Sequence, residues 1–443
     1  MRILISAFAC SPSGGSEGGV GWHWAMALAA DGHDVTVLTD VTRRAAIEIA
    51  LDLRSTCSDK RLPSFEFYRP WLLSKVRLNR RTAQMLYSGW QYALLLPAMR
   101  LHRKRRFELV LHVTYGVFRH PSFLGFLDAP FVFGPVGGGE EAPWRLKTQM
   151  PAREKLKELA RSFLNIVARV NPLLNLALAK TDLVLAKTAY TADALPRHVR
   201  GRTHVMLEIG LDSATLGTKI VASKPRSLDE PFQVMFAGRL IGVKGIDLLL
   251  ESFARFAETR PQARLVIIGS GPLAGWVDEL SHSLGIGGQI AVTPHLTQPE
   301  LFARYSEAHA LLFPSLHDSS GNVVLEALHH ALPVVCLDLG GPPDIIDATS
   351  GFAIDTRDVS RETVIERLAE ALGTLHDDEP SRRMMSDAAV ARAATWSWRS
   401  RVRDALAASA AAGLFGDLET LVHLDERADD TVPDDTRKPD PSD

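Results

Sequence analysis

FPSLHDSSGNVVLEALHHALPVVCLDLGG, residues 313–341, is the stretch whose reading decides the fold. Leu311 to Phe313 is a short apolar run stopped by Pro314, which reads as the end of a buried strand. A polar loop follows from Ser315 to Ser320. Gly321 and Asn322 then open a helix over Val323 to Ala331, with Val324, Leu325 and Leu328 on its apolar face. Leu332 and Pro333 stop that helix, and Val334 to Leu337 is a second buried strand. Strand, loop, helix and strand in this order place a helix N-terminus at the carboxyl edge of a parallel sheet. Free N–H groups and the helix dipole point outward there, and α/β folds bind anions at that edge.

Two carboxylates belong to this unit, Asp318 in the loop and Glu326 a little over one turn into the helix. A carboxylate in a half-buried helix needs partners, and each ionised carboxylate accepts several hydrogen bonds, as a hydroxyl-rich ligand would offer. The plainer reading keeps Asp318 as a helix cap and Glu326 as a solvated face residue. The residues alone leave both open. The pattern Pro314-Ser315, acidic Asp318, Gly321, then Leu325-Glu326-Ala327 resembles the acidic-x7-Glu signature of retaining glycosyltransferases with the two-domain GT-B fold. In that family the first acid contacts the donor sugar and the second the nucleotide ribose. Asp318 stands where the family usually has Glu, and Ser319 and Ser320 replace its usual aromatic. The resemblance thus implies donor binding by Asp318, Gly321, Asn322 and Glu326.

The carboxy-terminal half around this unit restarts as β/α. Phe232 to Phe236 reads as a strand, followed by Ala237-Gly238-Arg239-Leu240-Ile241-Gly242-Val243-Lys244-Gly245. Arg239 and Lys244 beside a helix N-terminus suit a diphosphate, which two cations neutralise by charge-assisted hydrogen bonds. The resemblance gives the same Gly-Arg-Leu…Lys-Gly pattern this use and makes Arg239, Lys244 and Asp318, together with His112 of the first half, the catalytic set, with no metal. Leu265 to Ile268 is the next strand, and Gly269-Ser270-Gly271-Pro272 is a tight turn at the same edge. Gly238 and Gly271 are read as donor contacts. Gln289 to Val292 follows; His295, just beyond it, falls where relatives line the base pocket. No Asp-x-Asp pair of the kind that anchors metal and diphosphate is evident. Helices run on to about Ala412, and the family commonly returns its last helix to the first domain.

The amino-terminal half begins with a near-continuous apolar run, Arg2 to Ala9, as in a parallel strand covered on both faces. A glycine-rich loop carrying Gly18 and Gly19 follows, then a helix over Trp22 to Ala30 and a strand over Val35 to Thr39. No GxGxxG dinucleotide fingerprint is present. The loop is similar to the GT-B family's first loop between the domains, where Gly18 and Gly19 would let backbone approach ligand. His112 ends a strand over Glu108 to Val113; relatives often place a donor- or acceptor-contacting histidine there, while a lone strand-end histidine is also an ordinary core residue. Phe118 to Phe126 reads as helix and Pro130 to Phe133 as strand. Many family members carry a cleft histidine after this strand, but here Pro135, Val136 and glycines lead to Glu140 and Glu141, the candidates for acceptor work. Residues 151–178 alternate basic and apolar positions in helical rhythm, with Leu156, Leu159, Phe163, Leu164, Ile166 and Val167 as the apolar set.

Residues 67–107 hold ten Lys or Arg and no acid, interleaved with Trp71, Leu72, Tyr87, Trp90 and Tyr92. Such a stretch suits an anionic membrane surface, or else a solvated face over a buried one. A formal net charge of −2 over 443 residues gives no drive toward nucleic acid. Cys10, Cys57 and Cys336 show neither metal spacing nor a paired framework, which favours a reducing, cytoplasmic setting. The opening MRILISAFAC is too short an apolar run to read as a signal peptide, and no apolar run near twenty residues is free of charge.

These readings give two Rossmann-like α/β domains facing each other across a cleft (GT-B). Residues 1–210 form the acceptor-side domain and 229–395 the nucleotide-sugar domain. Residues 396–412 form a helix crossing back, and 425–443 a disordered acidic tail. The implied partners are a nucleoside-diphosphate sugar, a glycan or lipid-linked acceptor and the inner face of a membrane. The implied activity is retaining transfer of a sugar, in the making of a surface polysaccharide or glycolipid. A nucleotide-sugar epimerase, a phosphorylase and a non-catalytic membrane-associated homologue are the alternatives on the same shape.

Overall fold

A computed structural model of the chain describes residues 1–12, 17–55, 61–79, 82–211, 230–294 and 296–416. The readings of His295, Cys57, Arg80 and Arg81, of most of the linker and of the acidic tail lie outside these residues. Among the described residues the chain forms two parallel sheets in two lobes.

The amino-terminal sheet has strands β1 (Arg2–Ser6), β2 (Asp34–Thr39), β3 (Ser64–Phe67), β4 (Leu109–His112), β5 (Phe131–Val136), β6 (Leu183–Ala186) and β7 (Thr203–Val205), in the order β3-β2-β1-β4-β5-β6-β7. Its helices are α1 (Glu17–Ala30), α2 (Arg44–Ser55), α3 (Ala83–Ala93), α4 (Leu95–Arg105), α5 (Ala152–Val170), α6 (Pro172–Ala179) and α7 (Ala189–Ala194). The carboxy-terminal sheet has β8 (Gln233–Ala237), β9 (Arg264–Ile268), β10 (Ile290–Thr293), β11 (Ala310–Phe313), β12 (Val334–Leu337) and β13 (Gly351–Ile354), in the order β10-β9-β8-β11-β12-β13. Every pairing is parallel. Central strands covered on both faces cannot alternate polar and apolar, which is why Ile3, Leu4 and Ile5 are all fully buried.

Strand order reverses between β1 and β4 in one sheet and between β8 and β11 in the other. In open α/β sheets the crevice opens at such a reversal, beyond the carboxyl ends of the strands. The helix Trp398–Ala411 packs against the amino-terminal lobe: Val402, Ala405 and Leu406 share a core with Val20, Trp24 and Leu28, and the Trp398 ring stacks on His23 at 4.7 Å.

Several local readings change. Helix α1 starts at Glu17, so Gly18 and Gly19 lie in its first turn rather than in a loop. Phe118 to Phe126 is not a helix. Phe118 donates its N–H to the Gly137 carbonyl, which keeps that stretch extended, and only Phe123–Phe126 coils, as a 3-10 turn. The short half-buried strand β3 lies in a stretch that carried no strand reading. In residues 67–107 the aromatics divide. Tyr87 and Trp90 are core residues packed on Phe8, whereas Trp71 is 80% exposed. The cations divide too: Arg69 is buried against Asp40 at 2.7 Å, while Arg100, Arg103 and Lys104 face solvent.

Candidate functional site between the two lobes

The loops after β8 and β11 leave the carboxy-terminal sheet side by side at its reversal point, and one carbonyl stitches them together. Val243 O accepts from Leu316 N at 2.9 Å, His317 N at 3.2 Å and Ser315 Oγ at 3.3 Å. Gly245 allows the contact, because its φ is +63° and a Cβ there would lie 2.0 Å from Pro314 O. This close approach brings Lys244 Nζ to Asp318 Oδ2 at 2.6 Å, with the ammonium 5.2 Å from the Phe313 ring centroid. The other carboxylate oxygen of Asp318 accepts from Ser320 N at 3.2 Å and Gly321 N at 2.9 Å. Asp318 therefore caps the turn into the helix Asn322–His329 and pairs with a cation at once. Burial would raise its pKa, but the Lys244 charge and these hydrogen bonds prevail and hold it below the ordinary carboxylate range.

Glu326 lies half-buried on that helix and accepts from the Tyr305 hydroxyl at 3.2 Å. Burial lifts its pKa to about 7 against that hydrogen bond. A carboxylate titrating near neutrality with room for more donors suits vicinal hydroxyls. Arg239 is exposed on the same loop as Lys244, and its side chain makes no hydrogen bond or ion pair among the described residues. Gly238 directly follows β8, and Gly271 packs on Leu240 O so closely that a Cβ would lie 2.3 Å from it, a packing role in the wall of the loop. Gly321 caps the helix that Asn322 begins.

The amino-terminal lobe faces this corner with residues that the sequence did not single out. Lys187, at the end of β6, reaches Glu208 at 2.5 Å, Glu17 at 3.5 Å and Ser320 Oγ of the opposite lobe at 3.2 Å. Ser320 Oγ in turn donates to Glu208 at 2.7 Å. Burial opposes the charge on Lys187, but the surrounding glutamates raise its pKa and keep it cationic. Glu17 stands at the start of α1, beside Gly18 and Gly19, and also accepts from the Tyr115 N–H at 2.7 Å, where Tyr115 has φ +54°. Non-glycine backbone held in that region collects at functional sites. On α5, Glu158 accepts from Lys147 Nζ at 2.9 Å and pairs with His317 at 2.6 Å, and Glu154 accepts from Gly242 N at 3.2 Å. Burial would raise the pKa of Glu158, but His317, Lys147 and Arg161 bring it to about 2.

Two expected contributors lie elsewhere. His112 is fully buried in the amino-terminal core, with Nδ1 2.9 Å from Ser6 Oγ and Nε2 3.0 Å from the Tyr87 hydroxyl. Burial lowers its pKa to about 3, so it is a neutral, satisfied structural residue. Glu140 is also used internally, accepting from Thr188 Oγ1, Thr191 Oγ1 and Gly138 N, while Glu141 is exposed.

Residues 219–392 match the family model for glycosyl transferases group 1. The chain is similar to D-inositol 3-phosphate glycosyltransferase of Corynebacterium diphtheriae, with 34% identity over 193 residues, 42% of each protein. It spans about half the length of the curated relatives it matches, or less. Among solved structures, sucrose-phosphate synthase from Thermosynechococcus elongatus superposes with a TM-score of 0.58 at 17% identity, over 91% of this chain and 97% of the other. Anabaena HepE in complex with UDP-glucose gives a TM-score of 0.54 at 16% identity, over 92% and 99%. Residues 219–392 are thus similar to the glycosyl transferases group 1, and the chain as a whole has the GT-B fold.

Proposed function

We propose that the chain is a retaining, metal-independent glycosyltransferase that moves a sugar from a nucleoside-diphosphate sugar to a glycan or lipid-linked acceptor. The observation that carries this reading is the Lys244–Asp318 pair at the β8/β11 reversal, beside the exposed Arg239 and with Glu326 on the adjoining helix. The names of similar proteins support it: curated relatives are glycosyltransferases, and HepE was solved with UDP-glucose.

In this mechanism Lys244 and Arg239 face the pyrophosphate as its bond to the anomeric carbon breaks, and they stabilise the charge that develops on the leaving oxygen. The N-terminus of the helix Asn322–His329 adds to that field. Asp318 holds sugar hydroxyls and Glu326 the ribose. The leaving phosphate takes the acceptor's proton on the face it departs from, so the new bond keeps the donor's anomeric configuration and no protein nucleophile is needed. The acceptor enters from the amino-terminal side, past Glu17, Gly18, Gly19 and Lys187. The setting we propose is the cytoplasmic face of a membrane, in surface polysaccharide or glycolipid synthesis.

The test is a transfer assay with a panel of nucleotide sugars, with the product's anomeric configuration read by NMR. Retention, with turnover unchanged by EDTA, is expected. An inverted product or loss of activity with the chelator would contradict the mechanism. Acceptor-free epimerisation of the donor would replace the function.

A further inference from the structure

Helix α5 is amphipathic the wrong way round for a surface helix. Its inward stripe is polar: Glu154, Glu158 and Asn165 are buried against the loops and helices of the cleft. Its outward stripe is apolar: Leu156, Phe163, Ile166 and Val170 are between 61% and 76% exposed. These four recur at helical spacing, so they form one continuous ridge. Helix α6 extends it, with Leu173 and Leu176 about half exposed. A soluble helix ordinarily turns its apolar stripe inward, and contiguous exposed apolar surface of this kind marks a docking site.

Charge tells what docks. The acids of α5 and α6, Glu154 and Glu158, are both buried, with Glu158 held by Lys147 and His317 and Glu154 by Lys157. Arg153, Lys157 and Arg169 flank the ridge at the surface. The outer face therefore carries apolar residues and cations and no anion. Two copies packed face to face would oppose like charges, whereas an anionic leaflet offers acyl chains to the ridge and phosphates to its flanks. No single described helix is long and apolar enough to cross a bilayer. The pair α5 and α6 reaches the length and composition only together, with a bend of 58° between them. The inward contacts of α5 to Gly242 and His317 keep it on the protein, so it lies along the surface rather than through it.

We propose that the outer face of α5 and α6 is a docking surface for an anionic lipid bilayer. Because Glu154 touches the Lys244 loop and Glu158 the Asp318 loop, this helix joins the lipid surface directly to the donor corner and fixes the cleft's distance from the membrane. The proposal is independent of the transferase activity.

The experiment is flotation of the full chain with phosphatidylcholine vesicles, with and without phosphatidylglycerol, alongside light scattering without lipid. The chain should float with the anionic vesicles, and less so as salt rises. F163S/I166S should reduce that partition about tenfold or more while leaving the melting temperature and nucleotide-diphosphate affinity unchanged. Protein that stays in solution with anionic vesicles, or F163S/I166S that floats like the parent, would overturn the proposal. So would loss of binding in W71S/L72S but not in F163S/I166S, which would move the surface to residues 67–107. A lipid-free dimer dissolved by F163S/I166S, without flotation of the parent, would overturn it in favour of a subunit interface.

Discussion

Lys187 and Lys244 hold carboxylates at nearly the same distance, 2.5 Å to Glu208 and 2.6 Å to Asp318, yet their surroundings differ. The side chains of the first pair are 5% and 3% exposed, and those of the second 13% and 19%. The amino-terminal lysine is enclosed by glutamates and by a serine of the opposite lobe, while the carboxy-terminal one lies against a phenylalanine ring and a helix cap. Desolvation decides what each can do. A fully enclosed pair is costly to break and serves to hold elements in place. A partly exposed lysine can exchange its carboxylate for a phosphate. Ser320 links the two, because its hydroxyl meets Lys187 and Glu208 and its N–H meets Asp318.

The largest expected effect separates the pairs by stability. Lys187→Met leaves Glu208 buried and uncompensated, and should destabilise the protein by about 3–5 kcal/mol, read as a fall in Tm. A Tm equal to the parent's would make the enclosed pair a surface-like ion pair and erase the contrast. Lys244→Ala should lower Tm by less, because Asp318 is less enclosed and keeps its hydrogen bonds from Ser320 N and Gly321 N, and should cut kcat/KM by the equivalent of about 2–4 kcal/mol. Unchanged turnover would reject its phosphate role.

A smaller effect sharpens the ligand side of the comparison. The Glu326 carboxyl titrates at about 7 in the fold, so below that pH it is neutral and accepts fewer hydroxyl hydrogen bonds. Donor affinity should rise with pH through about 7 and level off above it, and Glu326→Gln should flatten that profile at the weaker value. A parent profile without this step would remove Glu326 from the ribose.

Much of the donor corner is legible because it lies in short stretches. Gly238 to Gly245 and Pro314 to Glu326 carry their glycines, cations and acids within a dozen or so residues, and local spacing exposes the strand-to-helix turns. The central strands announce themselves as unbroken apolar runs for the same reason. The partners of the amino-terminal lobe are not legible this way. Glu17, Lys187, Glu208 and Ser320 are scattered along the chain, and only the parallel topology brings them together. The rhythm of α5 was visible, but periodicity reveals two faces without saying which one the lobe takes. The burial of Glu154 and Glu158 reverses the usual choice. His112 shows the opposite error of inference. A strand-end histidine invites a catalytic role, and only the Ser6 and Tyr87 hydrogen bonds show that the core has already satisfied it.

The central claim is that Lys244, with Arg239 beside it, grips a pyrophosphate. Calorimetry tests it most directly, using whichever of UDP, GDP and ADP the protein binds most tightly, against the matching nucleoside, on the parent and on Lys244→Ala. The account predicts that the parent favours the diphosphate strongly and that the variant loses most of that preference while keeping its weak affinity for the nucleoside. An undiminished preference for the diphosphate in Lys244→Ala would contradict it.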